Sequence, residues 1–504
     1  WFPVHSVYDD MDRDVQPTMP SDLMFESRFE SGNLWKAVRI GESEYNLVLR
    51  PDLTTGGCLW FYFLTQNMAK NFTYTFNLVN LYKERSMYSS GLRPLLWSEQ
   101  EYEGTGRGWH RVGDNISYTE NSTRRKNGNN HYTLSFQVRF PHGNDTAFLA
   151  MCFPYTYTDL QDFLVGLEKD ETSSATFTRS ELCRTIGGNR CDLLEITAPP
   201  KPGNQITDRQ CFVISGRVHP GESNASWMVK GMIQFLTGEG HVARVLREQF
   251  VFYVAPMLNP DGVVNGFYRV SLSGQDLNRQ WSDPGKSTHP TIYSLKNFVK
   301  GLNDEGRLLC YIDVHGHSTK RNVFMYGCTG SDGREKCFPR LFGERCPNFS
   351  FKDCRFDVDR SKENTGRVVV YREVGILHSF TLEASFCGAE APQPPPPSPD
   401  IRTGTVPPAP PPLPSYHFNS EDLEQVGTDM IQALAEYATL SDSGWRVSPD
   451  YAQHLQDARA RDAPGPGASV LDLYLASLKV ISKERADQES PGARILTNPA
   501  PPPR

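Results

Sequence analysis

The sequence has no apolar run approaching the roughly 18 residues that a membrane-spanning helix requires. Its best stretch, around Phe250–Leu258, falls far short. Basic residues are not in excess: 52 Lys and Arg stand against 59 Asp and Glu, a net charge of −7, so no electrostatic footprint for nucleic acid exists. Neither a membrane nor a nucleic acid is expected as a partner. A short, regular cysteine framework is also missing. The 11 cysteines, an odd number, are scattered from Cys58 to Cys387, which excludes a small disulfide scaffold and suits free thiols in a reducing compartment. There is no internal repeat. The chain opens Trp-Phe-Pro-Val, without an initiator Met or a charged-then-apolar leader, and reads as a fragment. Six Asn-x-Ser/Thr sequons (Asn71, Asn115, Asn121, Asn144, Asn224, Asn348) point instead to secretion. Asn224, however, falls in an expected site helix where a glycan would not fit, so the cytosol is favoured.

What is present is ample apolar content over a long chain. With 504 residues, 38% of them hydrophobic, the chain exceeds a single core of roughly 250–300 residues, so at least two domains are expected. Residues 1–20 are polar and punctuated by Pro, and read as a disordered lead-in. Residues 21–154 read as strands. Tyr132, Leu134, Phe136, Val138 and Phe140 alternate with polar neighbours, and Leu59–Leu64 is an aromatic run, as in an antiparallel β-sandwich. From residue 155 the pattern changes. Short apolar runs (Leu193–Ile196, Phe212–Ser215, Phe250–Val254, Leu308–Ile312, Ser379–Leu382) alternate with helix-period stretches such as Met228, Met232, Phe235 and Leu236 before Gly238. That alternation predicts an α/β domain over 155–440 with a mixed or largely parallel sheet. Twelve of the residues 389–415 are proline, a polyproline-like insertion ahead of an amphipathic helix over Glu421–Tyr437. Residues 441–504 read as a mostly disordered tail, with one helical face at Val470–Ile481.

The chemistry concentrates at the ends of the predicted strands, where open α/β sheets place their sites. Arg217-Val-His-Pro-Gly-Glu222 sets a His and a Glu three apart at a strand-to-helix turn, one nitrogen and one carboxylate. A catalytic zinc needs three protein ligands and an open position. Ile312-Asp-Val-His-Gly-His-Ser318 supplies the third, with His315 rather than His317 as ligand from strand register and Asp313 in reach to orient one. The HExxH signature is absent, so the scaffold is a different metallohydrolase. Glu383, inside the apolar Phe380–Phe386, is a carboxylate that would be costly to bury without a partner or a metal, and zinc hydrolysis needs a base. Asn259-Pro-Asp-Gly262 is a turn signal, and Asn278-Arg279 suits a chain-terminal carboxylate.

HPGE, NPDG, DLNRQW, HGHS and the late strand Glu, in this order, resemble the metallocarboxypeptidase (zinc carboxypeptidase) family, nearest to its cytosolic carboxypeptidases, the tubulin deglutamylases. Phe25–Leu34, Pro154–Thr158 and Val323–Cys328 carry the same resemblance. It implies a zinc carboxypeptidase-like mixed sheet flanked by helices behind an antiparallel β-sandwich. It implies one Zn²⁺ on His219, Glu222 and His315, with Glu383 as general base and proton shuttle. Arg269 would polarise the scissile carbonyl, and Asn278 and Arg279 would anchor the terminal carboxylate. The family's mobile substrate-binding tyrosine has no counterpart in Ser361–Val370. Arg367 is set against a glutamate side chain, the alternative being a loop ion pair with Glu363 or Asp359. The implied activity is removal of C-terminal glutamates from polyglutamylated or acidic-tailed proteins, chiefly tubulin, in cytosol, centriole, basal body and cilium. Two other readings stay open: an exopeptidase with another preference, such as tyrosine, and a weakly active microtubule-associated scaffold. PxxP segments such as Pro394–Pro397 would suit an SH3 or WW partner.

Overall fold

A computed structural model describes residues 3–125, 127–390, 416–440 and 445–462. The N-terminal unit is two packed sheets. A six-stranded sheet runs in the order His5–Asp9, Leu34–Arg39, Glu44–Leu49, Thr73–Leu81, Asn130–Arg139, Asp114–Arg124. A five-stranded sheet, Met24–Glu26, Tyr62–Gln66, Ala147–Ala150, Leu95–Ser98 and His110–Arg111, faces it. The alternation read from Tyr132 onward is real in space: Leu134, Phe136, Val138 and Phe140 are buried and the residues between them are not. Phe61, Phe63, Phe76 and Phe136 meet between the sheets, the last two with ring centroids 5.8 Å apart.

One expectation is corrected here. The lead-in of residues 1–20 reads as disordered, yet His5–Asp9 is the edge strand of the larger sheet, held by backbone pairing to Leu34–Arg39 and by Val7 and Tyr8, which are buried. Proline and charge around the strand obscure a five-residue signal. The sandwich pairs antiparallel as expected except where Glu44–Leu49 runs parallel to Thr73–Leu81. In the tail, Tyr451–Asp462 is a helix whose Tyr451 and Leu455 are buried. The Val470–Ile481 face and almost all of the Pro-rich insertion lie outside the described residues.

The second unit is built on a seven-stranded sheet: β1 (Phe177–Arg184), β2 (Arg190–Ile196), β3 (Gln210–Gly216), β4 (Phe250–Ala255), β5 (Leu308–His317), β6 (Val323–Tyr326) and β7 (Ser379–Ser385). Their order is β1-β2-β4-β3-β5-β7-β6. The four central strands are mutually parallel, and both edges are antiparallel. The central runs are continuous hydrophobics because both faces are covered, the mark of a parallel sheet under helices.

One covering layer pairs α1 (Ser223–Thr237) with α2 (Ser420–Tyr437), the latter opened by an Asn419–Asp422 capping box. The two helices cross at glycines. A Cβ on Gly231 would sit 2.0 Å from the Glu424 carbonyl oxygen, and one on Gly427 would sit 2.0 Å from that of Met228. In an isolated helix Gly→Ala gains roughly 1 kcal/mol. Here Gly231→Ala must push the two helix backbones apart and should instead cost about 1–3 kcal/mol, read as a lower Tm in thermal unfolding. A raised Tm would refute the close crossing.

Candidate active site

His219, Glu222, His315 and Glu383 reach the same place from strands or strand ends, Asn278 and Arg279 from the short turn Leu277–Arg279, Arg367 from the helix Gly366–Val369 and Arg269 from a loop. β3 ends at Gly216, and the chain turns through Arg217, whose φ of 55° is left-handed, before His219 and Glu222 lead into α1. The buried Arg217 guanidinium braces this turn by donating to the carbonyls of Pro220 (2.7 Å) and Tyr155 (3.0 Å) and to Ser226 Oγ (2.8 Å). The Asn259 turn supports it from below. Asn259 caps the short helix Pro260–Val264 by accepting from the Gly262 N–H, and its amide donates to the carbonyls of Val218 and Val270. β5 delivers His315, and its register partner on β7 is Glu383.

His219, Glu222 and His315, all buried, offer ligand atoms within 4.8 Å of one another. Nδ1 of His219 lies 2.8 Å from Glu222 Oε1, and Nδ1 of His315 lies 2.9 Å from Oε2. The opposite ring nitrogens face carboxylates, His219 Nε2 on Asp276 (3.0 Å) and His315 Nε2 on Asp313 (2.8 Å). That outer pairing holds each Nε2–H and turns each Nδ1 lone pair inward. Two imidazoles and a carboxylate converging this way are a donor set that zinc takes, so these residues fit it. Burial alone would raise the Glu222 carboxyl, but the two histidines hold it well below the usual carboxylate range. Gly316, between the histidines, donates to Glu222 Oε2 at 3.0 Å. It has room for no side chain, because a Cβ there would lie 2.0 Å from Asn224 Oδ1. Asn224 is itself buried and donates to the Ala384 carbonyl, which leaves its sequon no space for a glycan.

All eight residues named from the sequence line one cavity of about 710 Å³: His219, Glu222, His315, Glu383, Arg269, Asn278, Arg279 and Arg367. Burial pushes the Glu383 carboxyl up to about 7 against the pull of His315. Arg269 is aimed by Asp276, which accepts from its Nε at 2.8 Å, and one of its terminal nitrogens lies 4.0 Å from Glu222. Asn278 is held through its amide oxygen, which accepts from the Gly366 N–H at 3.0 Å. Its Nδ2 lies 3.1 Å from His315 Nε2, but both atoms are donors when that nitrogen is held by Asp313, so the Asn278 N–H groups stay at the cavity. Arg279 donates to the Asn278 carbonyl at 2.8 Å and keeps further N–H groups at the cavity. Arg367 is buried on neutral partners, the Gly327 carbonyl and the Cys328 thiol. Glu363 pairs with Arg372, and Asp359 caps a turn by accepting from the Ser361 N–H, so neither loop carboxylate is the ion-pair partner weighed for Arg367. His317 stands apart from the triad, its Nδ1 accepting from the Lys320 N–H at 3.0 Å.

Tyr326, on the edge strand β6 and within the segment Val323–Cys328, also lines the cavity. Two further contributors had no signal in the sequence. Asp52, on a loop of the sandwich, accepts from the backbone N–H groups of Tyr268 (2.6 Å), Arg269 (2.8 Å) and Val270 (3.3 Å), and so fixes the segment that carries Arg269. Lys83, also from the sandwich, reaches the cavity wall. The two units approach so closely that Gly266, with φ 67°, would place a Cβ 2.6 Å from the Gly32 carbonyl oxygen. No disulfide joins cysteines among the described residues.

The zinc carboxypeptidase family profile matches residues 168–337. Cytosolic carboxypeptidase 3 of Bos taurus is 41% identical over 423 residues, which cover 82% of this chain and 40% of the relative. Cytosolic carboxypeptidase 2 of Homo sapiens is 41% identical over 430 residues, covering 84% of this chain and 45% of the relative. The chain thus spans less than half the length of these relatives. Among solved structures, a metallo-carboxypeptidase from Burkholderia cenocepacia has the same fold, with a TM-score of 0.63, 21% identity, and coverage of 82% of this chain and 97% of that one. No helix among the described residues is long and apolar enough to cross a membrane.

Proposed function

The chain belongs to the zinc carboxypeptidase family, and from that premise we propose that it is an exopeptidase removing C-terminal glutamates from acidic-tailed or polyglutamylated proteins, tubulin foremost. The observation that carries this reading is the meeting of His219, Glu222 and His315 beside Glu383 in a single cavity, whose lining carries more basic than acidic side chains. Zinc held by the three ligands supplies a Lewis acid that acidifies water and polarises a carbonyl. The rest is done by side chains. Glu383, beside the triad, accepts the proton of the attacking water and returns it to the departing amine. Arg269, held by Asp276, faces the oxygen on which charge develops. Arg279 binds the terminal carboxylate, with the Asn278 amide beside it in the cavity lining.

An acidic terminal residue suits this cavity, because Arg355, Lys362 and Arg367 line it in addition to Arg269 and Arg279. Arg367, buried without a carboxylate on it, is the side chain we assign to the glutamate carboxylate. Arg367→Met should lower the preference for terminal glutamate over tyrosine by roughly tenfold, the worth of a hydrogen bond to a charged group. An unchanged ratio of kcat/KM would remove Arg367 from that role. The setting proposed is cytosolic, at centrioles, basal bodies and cilia.

The reading is tested by release of free glutamate from polyglutamylated tubulin, with a tyrosinated tail alongside. Glutamate release supports it. Tyrosine release alone keeps the exopeptidase and overturns its substrate, and release from neither overturns both.

A further inference from the structure

Lys83 leaves the sandwich and enters the wall of the cavity in the second unit. Its Nζ donates to Tyr268 Oη at 2.7 Å and to Ser318 Oγ at 2.5 Å, and it lies 5.1 Å from the Tyr268 ring centroid. Tyr268 precedes Arg269, the group set against the scissile carbonyl, and Ser318 closes the HGHS motif. An ammonium has three donors. Two are taken by neutral hydroxyls, which leaves one N–H and the whole charge at the cavity wall. Half-burying a lysine without a carboxylate is unfavourable, and burial does lower its pKa. The Tyr268 ring and the Glu222 and Glu383 carboxylates favour the charge from a distance, but none of them takes the remaining N–H, which stays open to an anion that arrives with the substrate.

Its position says which anion. Arg279, Lys362 and Arg367, on segments of the second unit, serve the terminal residue, whereas Lys83, Glu84 and Arg85 line the cavity from the sandwich. Lys83 is tied to Tyr268, the residue before Arg269, while Arg269 is tied to Asp276 at the start of the segment that carries Arg279. A polypeptide whose last residue is held at Arg279 and whose scissile carbonyl faces Arg269 brings its preceding residue past Lys83. We propose that Lys83 binds the side-chain carboxylate of the residue before the scissile bond, so that the sandwich makes the enzyme selective for consecutive acidic residues. This rests on the exopeptidase reading above.

The test compares kcat/KM for terminal glutamate release from two peptides differing only in the penultimate residue, Glu or Ala. The full chain, Lys83→Met and Lys83→Arg are assayed on both. The unaltered chain should favour the Glu-Glu ending by about tenfold or more. In Lys83→Met that ratio should fall close to one, and Lys83→Arg should keep most of it. An unchanged ratio in Lys83→Met, or an equal loss on both peptides, overturns the assignment and leaves Lys83 a clamp between the units. If the unaltered chain releases glutamate from neither peptide, the exopeptidase reading itself falls and takes this assignment with it. Release from both at equal rates overturns the assignment alone.

Discussion

Glu383→Gln is expected to lower the rate of terminal-residue release by on the order of a thousandfold, within the range that a positioned acid–base group contributes. The substitution keeps the shape and the capacity to hydrogen-bond but removes the proton acceptor. Two further readouts separate this outcome from damage to the fold. Glu383 is not in the ligand triad, so zinc content should match that of the unaltered chain. Burial raises the Glu383 carboxyl to about 7. A carboxyl raised on folding binds more protons in the native state, so in the metal-free protein its ionisation lowers stability as pH climbs from the ordinary carboxylate range toward 7. Glutamine carries no such penalty, and the metal-free variant should melt no lower than the metal-free parent at neutral pH. Retained activity would disprove the base assignment. Lost activity with a lower Tm and lost zinc would mean that Glu383 holds the site together rather than turning it over.

The sequence disclosed those regions of this site in which chemistry and strand position coincide. His219, Glu222, His315 and Glu383 each stand at the end of, or within, an apolar run long enough to read as a strand, and the parallel order of β3, β5 and β7 brings those ends together. The same apolar runs disclosed the sheet. Asp52 and Lys83 were illegible for the opposite reason. Each sits among loop or sandwich residues with ordinary spacing, and acquires its role only when the sandwich docks on the segment Tyr268–Val270. Nothing in a linear pattern encodes contacts that span 185 and 216 residues. Asp276 is an intermediate case. It opens the DLNRQW motif with no role legible there, and only the fold shows that one carboxylate orients both His219 and Arg269. Asn278 is placed by its amide oxygen on the Gly366 N–H, a contact that residue type alone did not announce, while its amide nitrogen stays at the cavity lining. The edge strand His5–Asp9 was hidden by proline and charge, because an edge strand pairs on one side only and shows a weak alternation.

His315→Ala should abolish activity together with the metal. The argument starts from geometry, since the two Nδ1 atoms contact the two oxygens of one carboxylate and each imidazole is anchored from behind by its own aspartate. Removing His315 takes one of three donors. It also deprives Asp313 of its imidazole, leaving it the Ser215 hydroxyl at 2.9 Å. The unaltered chain should bind one zinc, lose activity to a chelator and regain it with added zinc. Its Tm should rise with the metal, because a ligand at a thousand times its Kd stabilises the native state by about 4 kcal/mol. His315→Ala should show neither the stoichiometric zinc nor the Tm response, and its activity should fall by at least the factor expected for Glu383→Gln. His317→Ala is the matched control. Its Nδ1 is taken by the backbone N–H groups of Lys320 and Thr319, it stands outside the triad, and its variant should keep the zinc and the Tm response. Were His317→Ala to lose the metal while His315→Ala kept it, the ligand assignment within the HGH motif would be reversed. Were both to keep it, the triad would not be the zinc site.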